Sequence, residues 1–288
     1  MRVVQHESGA ALLARAGAFL TAAEAENNLQ LGLAGQLPTP TSAREADSFL
    51  GTLESEGEVV GVGLQNQPMN PFTLSRMPTQ ALDALVHELA GSQRRLTLAV
   101  GVKETAEAFA ERWAAATATG WRIEVPERIY QLTAVRSPRA VPGRLRQAVE
   151  ADESLVLDWS RRFAADAGGI PLDDETLRRR TPERIRNGEL WLWEDEDGSV
   201  VSIASASGRT PHGIRIGLVY TPPALRRRGY ASACVAAVSQ RMLDSGRRFC
   251  FLYTDLGNPT SNRIYQTIGY EPVCDVSLIR FEDGPASR

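Results

Sequence analysis

The chain has 288 residues, 43% of them hydrophobic and 23% charged, a balance that lets each of two modest domains bury a core and excludes wholesale disorder. Its 32 Lys and Arg nearly cancel its 35 Asp and Glu, so the formal charge of -3 supplies no global field for nucleic acid or a lipid surface, and neither is an expected partner. Arginine outnumbers lysine 31 to 1, Lys103 being the only lysine, which reads as compositional bias. Cys234, Cys250 and Cys274 show no C-x-x-C spacing and only three histidines are present, so neither a disulfide framework nor a structural metal site is expected.

In chain order, Ala10 to Leu20 predicts an amphipathic helix and not a signal peptide, because Arg15 interrupts it and Glu24 and Glu26 follow. No run approaches the ~18 apolar residues of a membrane span, and the expected location is cytoplasmic. Glu58 to Leu64 and Thr73 to Arg76 read as strands, Thr79 to Ala90 as a helix, Leu96 to Val100 as a strand and Lys103 to Ala116 as a helix. Two strands, Trp121 to Val125 and Arg128 to Val135, close the first half. The stretch RSPRAVPG, Arg136 to Gly143, concentrates Pro, Gly and Arg and reads as an inter-domain connection, giving domains of residues 1–138 and 143–283.

The second half opens with a strand from Arg144 to Val149, then a helix capped by Asp152 with Leu155, Val156, Trp159 and Phe163 at helical spacing. A polar helix from Asp173 to Asn187 follows. Strands are predicted at Glu189 to Glu194, Ser199 to Ala206 and Gly213 to Tyr220, then a helix from Gly229 to Ser245 and a strand from Phe249 to Thr254. A short helix from Pro259 to Gly269 and a strand from Val273 to Phe281 complete the chain. The similar element order of the two halves raises the question of an internal duplication. The repeated tetrapeptide RIYQ does not answer it, since the copy at Arg128 to Gln131 reads as strand and the copy at Arg263 to Gln266 as helix.

Chemistry concentrates in two stretches. In VYTPPALRRRGYAS, Val219 to Ser232, a strand passes through a Pro-Pro turn and Arg226-Arg227-Arg228-Gly229-Tyr230-Ala231 straight into a helix. Such a loop offers backbone N–H groups at a helix N-terminus, where a phosphate is favoured; Gly229 permits close approach and arginines can add contacts. In FLYTDLGNPTSNRIYQTIGY, Phe251 to Tyr270, a strand is followed by a short helix carrying Asn258 and Tyr265 seven residues apart.

Together these stretches resemble the GNAT superfamily of N-acetyltransferases, whose R/Q-x-x-G-x-G/A loop is filled by Arg226, Gly229 and Ala231. The family's N-x-x-A-x-x-x-Y-x-x-x-G-F/Y pattern is filled by Asn258, Tyr265, Gly269 and Tyr270, with Ser261 in place of the usual alanine. The resemblance spans about residues 143–283 and implies an α/β fold of the α+β type: tandem GNAT-like acyltransferase folds, each a mixed, mostly antiparallel sheet flanked by helices. It implies acetyl-CoA as cofactor, CoA as product, and a primary amine of a small molecule or peptide as acceptor. Val219, Tyr220 and Thr221 would bind the pantetheine arm and polarise the thioester carbonyl, and Arg227 through Ser232 would hold the pyrophosphate. Asn258 would contact the cofactor, and Tyr265 would donate a proton to the leaving sulfur, as a phenol with a pKa near ~10 can at neutral pH.

The strand GIRIGLVYT contains no carboxylate, so the base is sought elsewhere: Asp255 acting through water, with Glu189 and His212 as weaker choices, or a water chain to solvent. Neither Cys234 nor Cys250 has a recognisable histidine partner, which favours direct transfer in a ternary complex over an acyl-enzyme. Trp159, Trp191, Trp193 and Tyr220 read either as core or as acceptor lining. In the first half SRMPTQALDAL stands where the phosphate loop falls and AVGVKETAEAFAERW lacks the Asn and Tyr spacing, so a degenerate GNAT-like repeat is expected, with an unrelated α/β domain as the alternative. Two further readings stay open for the whole chain: a non-catalytic acyl-CoA sensor, and transfer of a longer acyl group. No motif specifies an oligomeric state.

Overall fold

A computed structural model describes residues 1–37, 48–167, 173–282 and 284. Packing divides the chain into two compact units, Met1–Ile129 with Val273–Arg288, and Tyr130–Pro272.

In the first unit β1 (Arg2–Gln5) leads to α1 (Gly9–Ala22), and Ser8 starts that helix by accepting the Ala11 N–H through its hydroxyl at 3.1 Å. Leu12, Ala16 and Leu20 recur every fourth residue, so one face of α1 is buried, against β2 (Phe49–Ser55), β3 (Glu58–Gln65) and α2 (Asn28–Ala34). The chain continues through β4 (Phe72–Leu74), α3 (Thr79–Gly91), β5 (Leu98–Val102), α4 (Lys103–Thr117) and β6 (Gly120–Leu132). On the opposite side of the sheet from α1, α3 and α4 cover a core in which Phe72 stacks on Phe109 and Phe109 on Trp113, at centroid distances of 5.8 and 6.2 Å.

The second unit repeats the order. It contains β7 (Arg144–Gln147), a single 3-10 turn, α5 (Glu153–Ala167), α6 (Asp174–Arg186), β8 (Leu190–Glu194), β9 (Val200–Ser207) and β10 (Gly213–Tyr220). Then come α7 (Tyr230–Asp244), β11 (Phe249–Asp255) and α8 (Pro259–Ile268). Strand β8 shows why the unit has two helical layers: its alternation sends Trp191 and Trp193 into the core beneath α7, and Leu190 and Leu192 into the core with Trp159 of α5.

The last strand, β12 (Glu271–Glu282), pairs antiparallel with β5 from Val276↔Val102 to Arg280↔Leu98, so Val273 onward is counted with the first unit. Within each unit the strand order is the same, β1-β2-β3-β4-β5 and β7-β8-β9-β10-β11, antiparallel apart from the parallel pairs β4/β5 and β10/β11. Element order and strand order are thus the same in the two units, as a duplication requires.

One expectation changes in detail and two others hold. The two strands expected at Trp121 to Val125 and Arg128 to Val135 are one strand, β6, which runs through Pro126; that residue is exposed, and a proline is tolerated where its missing N–H is not needed by the ladder. The RIYQ copies do lie on a strand and a helix. Residues 133–143 are irregular as expected of a connection, and they are seated on the second unit: the Arg136 N–H donates to the Ile268 carbonyl at 2.7 Å, and Trp193 donates through Nε1 to the Pro142 carbonyl at 3.3 Å.

Candidate active site

Strands β10 and β11 are paired only from Gly213↔Phe249 to Arg215↔Phe251, so the five remaining residues of β10 have no ladder partner on β11. The strands part toward their C-terminal ends. On its other side β10 is paired with β9, but the register shifts between Gly217 and Tyr220, and Leu218 sits at φ +47. A leucine in the left-handed region is strained, and a bulge of this kind turns strand backbone away from its ladder. The Ser202 hydroxyl of β9, fully buried, donates or accepts at 2.9 Å with the Thr221 hydroxyl and lies 3.1 Å from the Tyr220 carbonyl, fixing the end of β10. Val219, Tyr220 and Thr221 therefore flank an opening between two parallel strands.

Residues Thr221 to Gly229, nine in all, connect β10 to α7. Arg227 at φ +65 and Gly229 at φ +88 turn the chain into the helix, and no side chain caps it. The first intrahelical bond runs from Ala233 N–H to the Gly229 carbonyl, so the N–H groups of Tyr230, Ala231 and Ser232 are left to an outside acceptor. Three N–H groups at one helix start are the arrangement an anion site requires. Gly229 is required twice over, since its φ disfavours other residues and a Cβ there would stand 2.8 Å from Val141 Cγ2.

Arg226 is exposed but turned back along its own loop. Its Nε donates to the Thr221 carbonyl at 2.9 Å, its Nη2 meets the Asp166 carboxylate of α5 at 2.5 Å, and its guanidinium lies 5.8 Å from the Tyr220 ring centroid. It closes the loop on itself. Arg227 and Arg228 are exposed beside the helix start, the latter with one long contact of 3.5 Å to the Ala224 carbonyl.

Across the opening, α8 begins at Asn258, whose Oδ1 accepts the Ser261 N–H at 3.0 Å while Pro259 occupies the first turn. Asn262 donates to the carbonyls of Asp255 and Asn258 at 2.9 and 2.8 Å, tying the helix to β11. Asp255 ends β11, and its Oδ1 accepts the Gly257 N–H at 2.7 Å. Tyr265 is on the buried face of α8 with Ile268 and packs edge to face on Tyr270. Burial pushes its phenol up to about 12, with no hydrogen bond contributing, and among the described residues its hydroxyl has no partner. The thiols of Cys234 and Cys250 are likewise pushed up to about 12 by burial, which removes their nucleophilic form.

The other candidates lie apart. His212 precedes β10, at the far end of the strand from Tyr220, and Glu189 is paired with Arg184 at 3.3 Å. The four aromatics do not form one set: Trp191 and Trp193 face α7, whereas Trp159 and Tyr220 meet on the α5 face with centroids 5.8 Å apart.

In the first unit β4 and β5 are paired to the last residue of β4, Leu74↔Gly101, and a Cβ on Gly101 would meet the Leu74 carbonyl oxygen at 2.8 Å. The connection to α3 is Ser75 to Pro78, four residues. The same topology is here closed, without the opening or the long loop.

Residues 198–277 match the family model described as FR47-like protein. Among solved structures, a GCN5-related N-acetyltransferase from Sphaerobacter thermophilus is similar at a TM-score of 0.64 and 18% identity, over 99% of this chain and 97% of that one. A tandem GNAT protein from the clavulanic acid biosynthesis pathway aligns at 0.58 and 17% over 99% of both chains, and a GNAT-family acetyltransferase from Colwellia psychrerythraea at 0.56 and 13% over 98% and 99%. No curated protein matches. The chain has the tandem GNAT fold, and the resemblance read from its motifs is borne out. Among the described residues no helix is long and apolar enough to cross a membrane, and no group of three or more His, Cys, Asp or Glu could hold a metal ion.

Proposed function

We propose that the protein is an N-acetyltransferase that moves an acetyl group from acetyl-CoA to a primary amine of a small molecule or peptide, with the chemistry in residues 143–283. The observation that carries this reading is the combination of an open β10/β11 pair, uncapped N–H groups at α7 and an unbonded Tyr265 hydroxyl in one unit. Backbone from Arg227 through Ser232 holds the pyrophosphate, with Arg227 and Arg228 adding charge and Arg226 bracing the loop. The pantetheine arm lies along Val219, Tyr220 and Thr221, which leave β10 unpaired on the β11 side, and Asn258 borders the same opening.

The acceptor nitrogen attacks the thioester carbonyl carbon in a ternary complex, and backbone N–H groups beyond the bulge stabilise the oxyanion. As the C–S bond breaks, Tyr265 donates its proton to the sulfur. Burial that keeps the phenol neutral also disfavours a thiolate in the same place, so the proton transfer is favoured by the site. Asp255 accepts the amine proton through water at Oδ2, Oδ1 being held by the turn. The first half, residues 1–138, is an accessory copy that shapes acceptor choice.

Free-thiol release with acetyl-CoA across a panel of amines tests the reading, together with calorimetric titration of acetyl-CoA. Binding with turnover on an amine supports it; binding without turnover on any amine favours the sensor; turnover only with longer acyl-CoA corrects the acyl group; no binding at high micromolar concentration ends it.

A further inference from the structure

A second concentration of charge lies in the second unit, at the opposite end of β10 from Tyr220. Ile214 and Ile216 enter the core beneath α7, so Arg215 between them faces the layer of α5 and α6. It pairs with Ser207 at the end of β9, and its guanidinium lies against Gly208, where a Cβ would stand 3.0 Å from Nη2 and 3.2 Å from Cζ. Next to Ser207, the Ala206 N–H donates to the Glu189 carbonyl at 2.8 Å, and the Glu189 carboxylate accepts from Arg184 Nε of α6 at 3.3 Å. Arg180 precedes Arg184 by about one turn on the same face of α6.

The charge at this end of β9 is not balanced. Among the described residues Glu189 is the only carboxylate bonded to any of the three arginines, and Arg180 and Arg215 make no hydrogen bond or ion pair. Arg215 is half-buried, and Arg184 has 26% of its side chain exposed. Burial first, and then the neighbouring charges of Arg180 and Arg215, hold the Arg184 guanidinium below the usual arginine range against the pull of Glu189. A half-buried guanidinium whose N–H groups are unmet is costly until an anion reaches it. The excess over Glu189 is two positive charges, which a carboxylate would only half neutralise. A phosphate monoester, at about −1.5 to −2 near pH 7 and with three acceptor oxygens, matches it.

We propose that Arg180, Arg184 and Arg215 form a second anion site, which takes a phosphate group, either the free ion or that of a monoester. Arg215 offers the fork of donors, while Arg184 stays anchored by Glu189 and Arg180 closes the outer side. Arg215 precedes Tyr220 by five residues, roughly 16 Å at ~3.3 Å per strand residue, so the site is separate from the loop that leads into α7. Its occupancy is independent of the acetyl-CoA reading.

The test is calorimetry on the full chain with inorganic phosphate, phenyl phosphate and acetate at constant ionic strength. Wild type should bind a phosphate probe at millimolar concentration or below, and acetate at least about ten-fold more weakly. Tighter binding of inorganic phosphate marks a site closed around the free ion, and equal or tighter binding of phenyl phosphate marks a monoester site. Arg215→Met, which keeps the aliphatic stem, should weaken the phosphate probe by about ten-fold or more, as loss of one charge-assisted contact does. In phosphate-free buffer the same variant should melt at or above the wild-type temperature, because it removes an unmet half-buried charge. Gly229→Ala, altered at the start of α7, should leave phosphate affinity within about two-fold. No binding by wild type, equal affinity for acetate and phosphate, or wild-type affinity in Arg215→Met overturns the site. A clear drop in the melting temperature of Arg215→Met makes that arginine structural and overturns it as well. Loss of the phosphate signal in Gly229→Ala assigns the ion to α7 and also overturns it, while the acetyl-CoA reading stands.

Discussion

Tyr265 and Tyr270 meet edge to face, with ring centroids 6.0 Å apart at 68°, yet only the Tyr270 hydroxyl is bonded, to the Ser239 hydroxyl at 2.8 Å. Two buried phenols five residues apart thus have different assignments, one ending in the core of the second unit and one ending in an unmade bond. Replacing each by phenylalanine should separate them. Tyr265→Phe is expected to lower kcat by roughly 10²-fold or more with acetyl-CoA affinity within two-fold, the usual size of an acid-base contribution being roughly 10²–10⁴. Tyr270→Phe is expected to leave kcat near wild type and to cost about 1–3 kcal/mol of stability, because Ser239 loses its buried partner. Urea titration and steady-state kinetics on both variants check this; equal kinetics for the two would remove the acid role of Tyr265.

The pH behaviour follows from the same burial. A phenol pushed up to about 12 keeps its proton across the physiological range, so kcat should show no descending limb from Tyr265 below pH ~11, whereas a free phenol would bring one near pH ~10. Tyr270 is raised as well, by burial first and then by the nearby Cys250. Unfolded tyrosines lose their protons near pH ~10 while these two keep theirs, so stability should be full below that value and fall as pH rises toward about 12. Denaturant midpoints measured from about pH 8 to about pH 11 would show the decline or refute it.

Gly229→Ala should act locally. A Cβ would have to displace Val141 from 2.8 Å and hold φ +88, at a cost of about 1–3 kcal/mol. Acetyl-CoA affinity is expected to drop at least ten-fold, with a smaller loss of stability, as seen by calorimetry and thermal melts.

Asp255 combines a turn with a proposed proton path, and Asn can keep the first while removing the second. Asp255→Asn should retain the contact with the Gly257 N–H and the melting temperature, and lower kcat about ten-fold. An unchanged kcat would give the base role to solvent.

Ser202 holds both the Tyr220 carbonyl and the Thr221 hydroxyl at the end of β10. Ser202→Ala should cost about 1–2 kcal/mol and raise KM for acetyl-CoA more than it lowers kcat. A kcat effect with unchanged KM would contradict a positioning role.

Much of this site could be read from residue type and spacing because its parts are local. The loop from Thr221 to Gly229 and the helix from Asn258 to Tyr265 are contiguous segments, so turn chemistry, caps and helical period fix them without tertiary information. What escaped is non-local. Ser202 matters because of a strand pairing, Arg226 because its side chain finds Thr221 and Asp166, and the Leu218 bulge because β9 shifts register against β10. Similarly β1, α2 and β2 were not predicted, since short segments such as RVVQ carry too little pattern to stand out from their surroundings.

The placing of β12 beside β5, with Ile279 and Phe281 in the same core as Phe72 and Phe109, has a consequence for biosynthesis. Residues of the second unit, Tyr130–Pro272, leave the ribosome as one uninterrupted stretch, while the first unit waits for a strand that emerges after them. Translation at ~5–20 residues per second makes that wait on the order of ten seconds, during which β5 has an open edge. The half synthesised first is therefore the half completed second, and the nascent chain is most exposed to chaperones and proteases through its first unit.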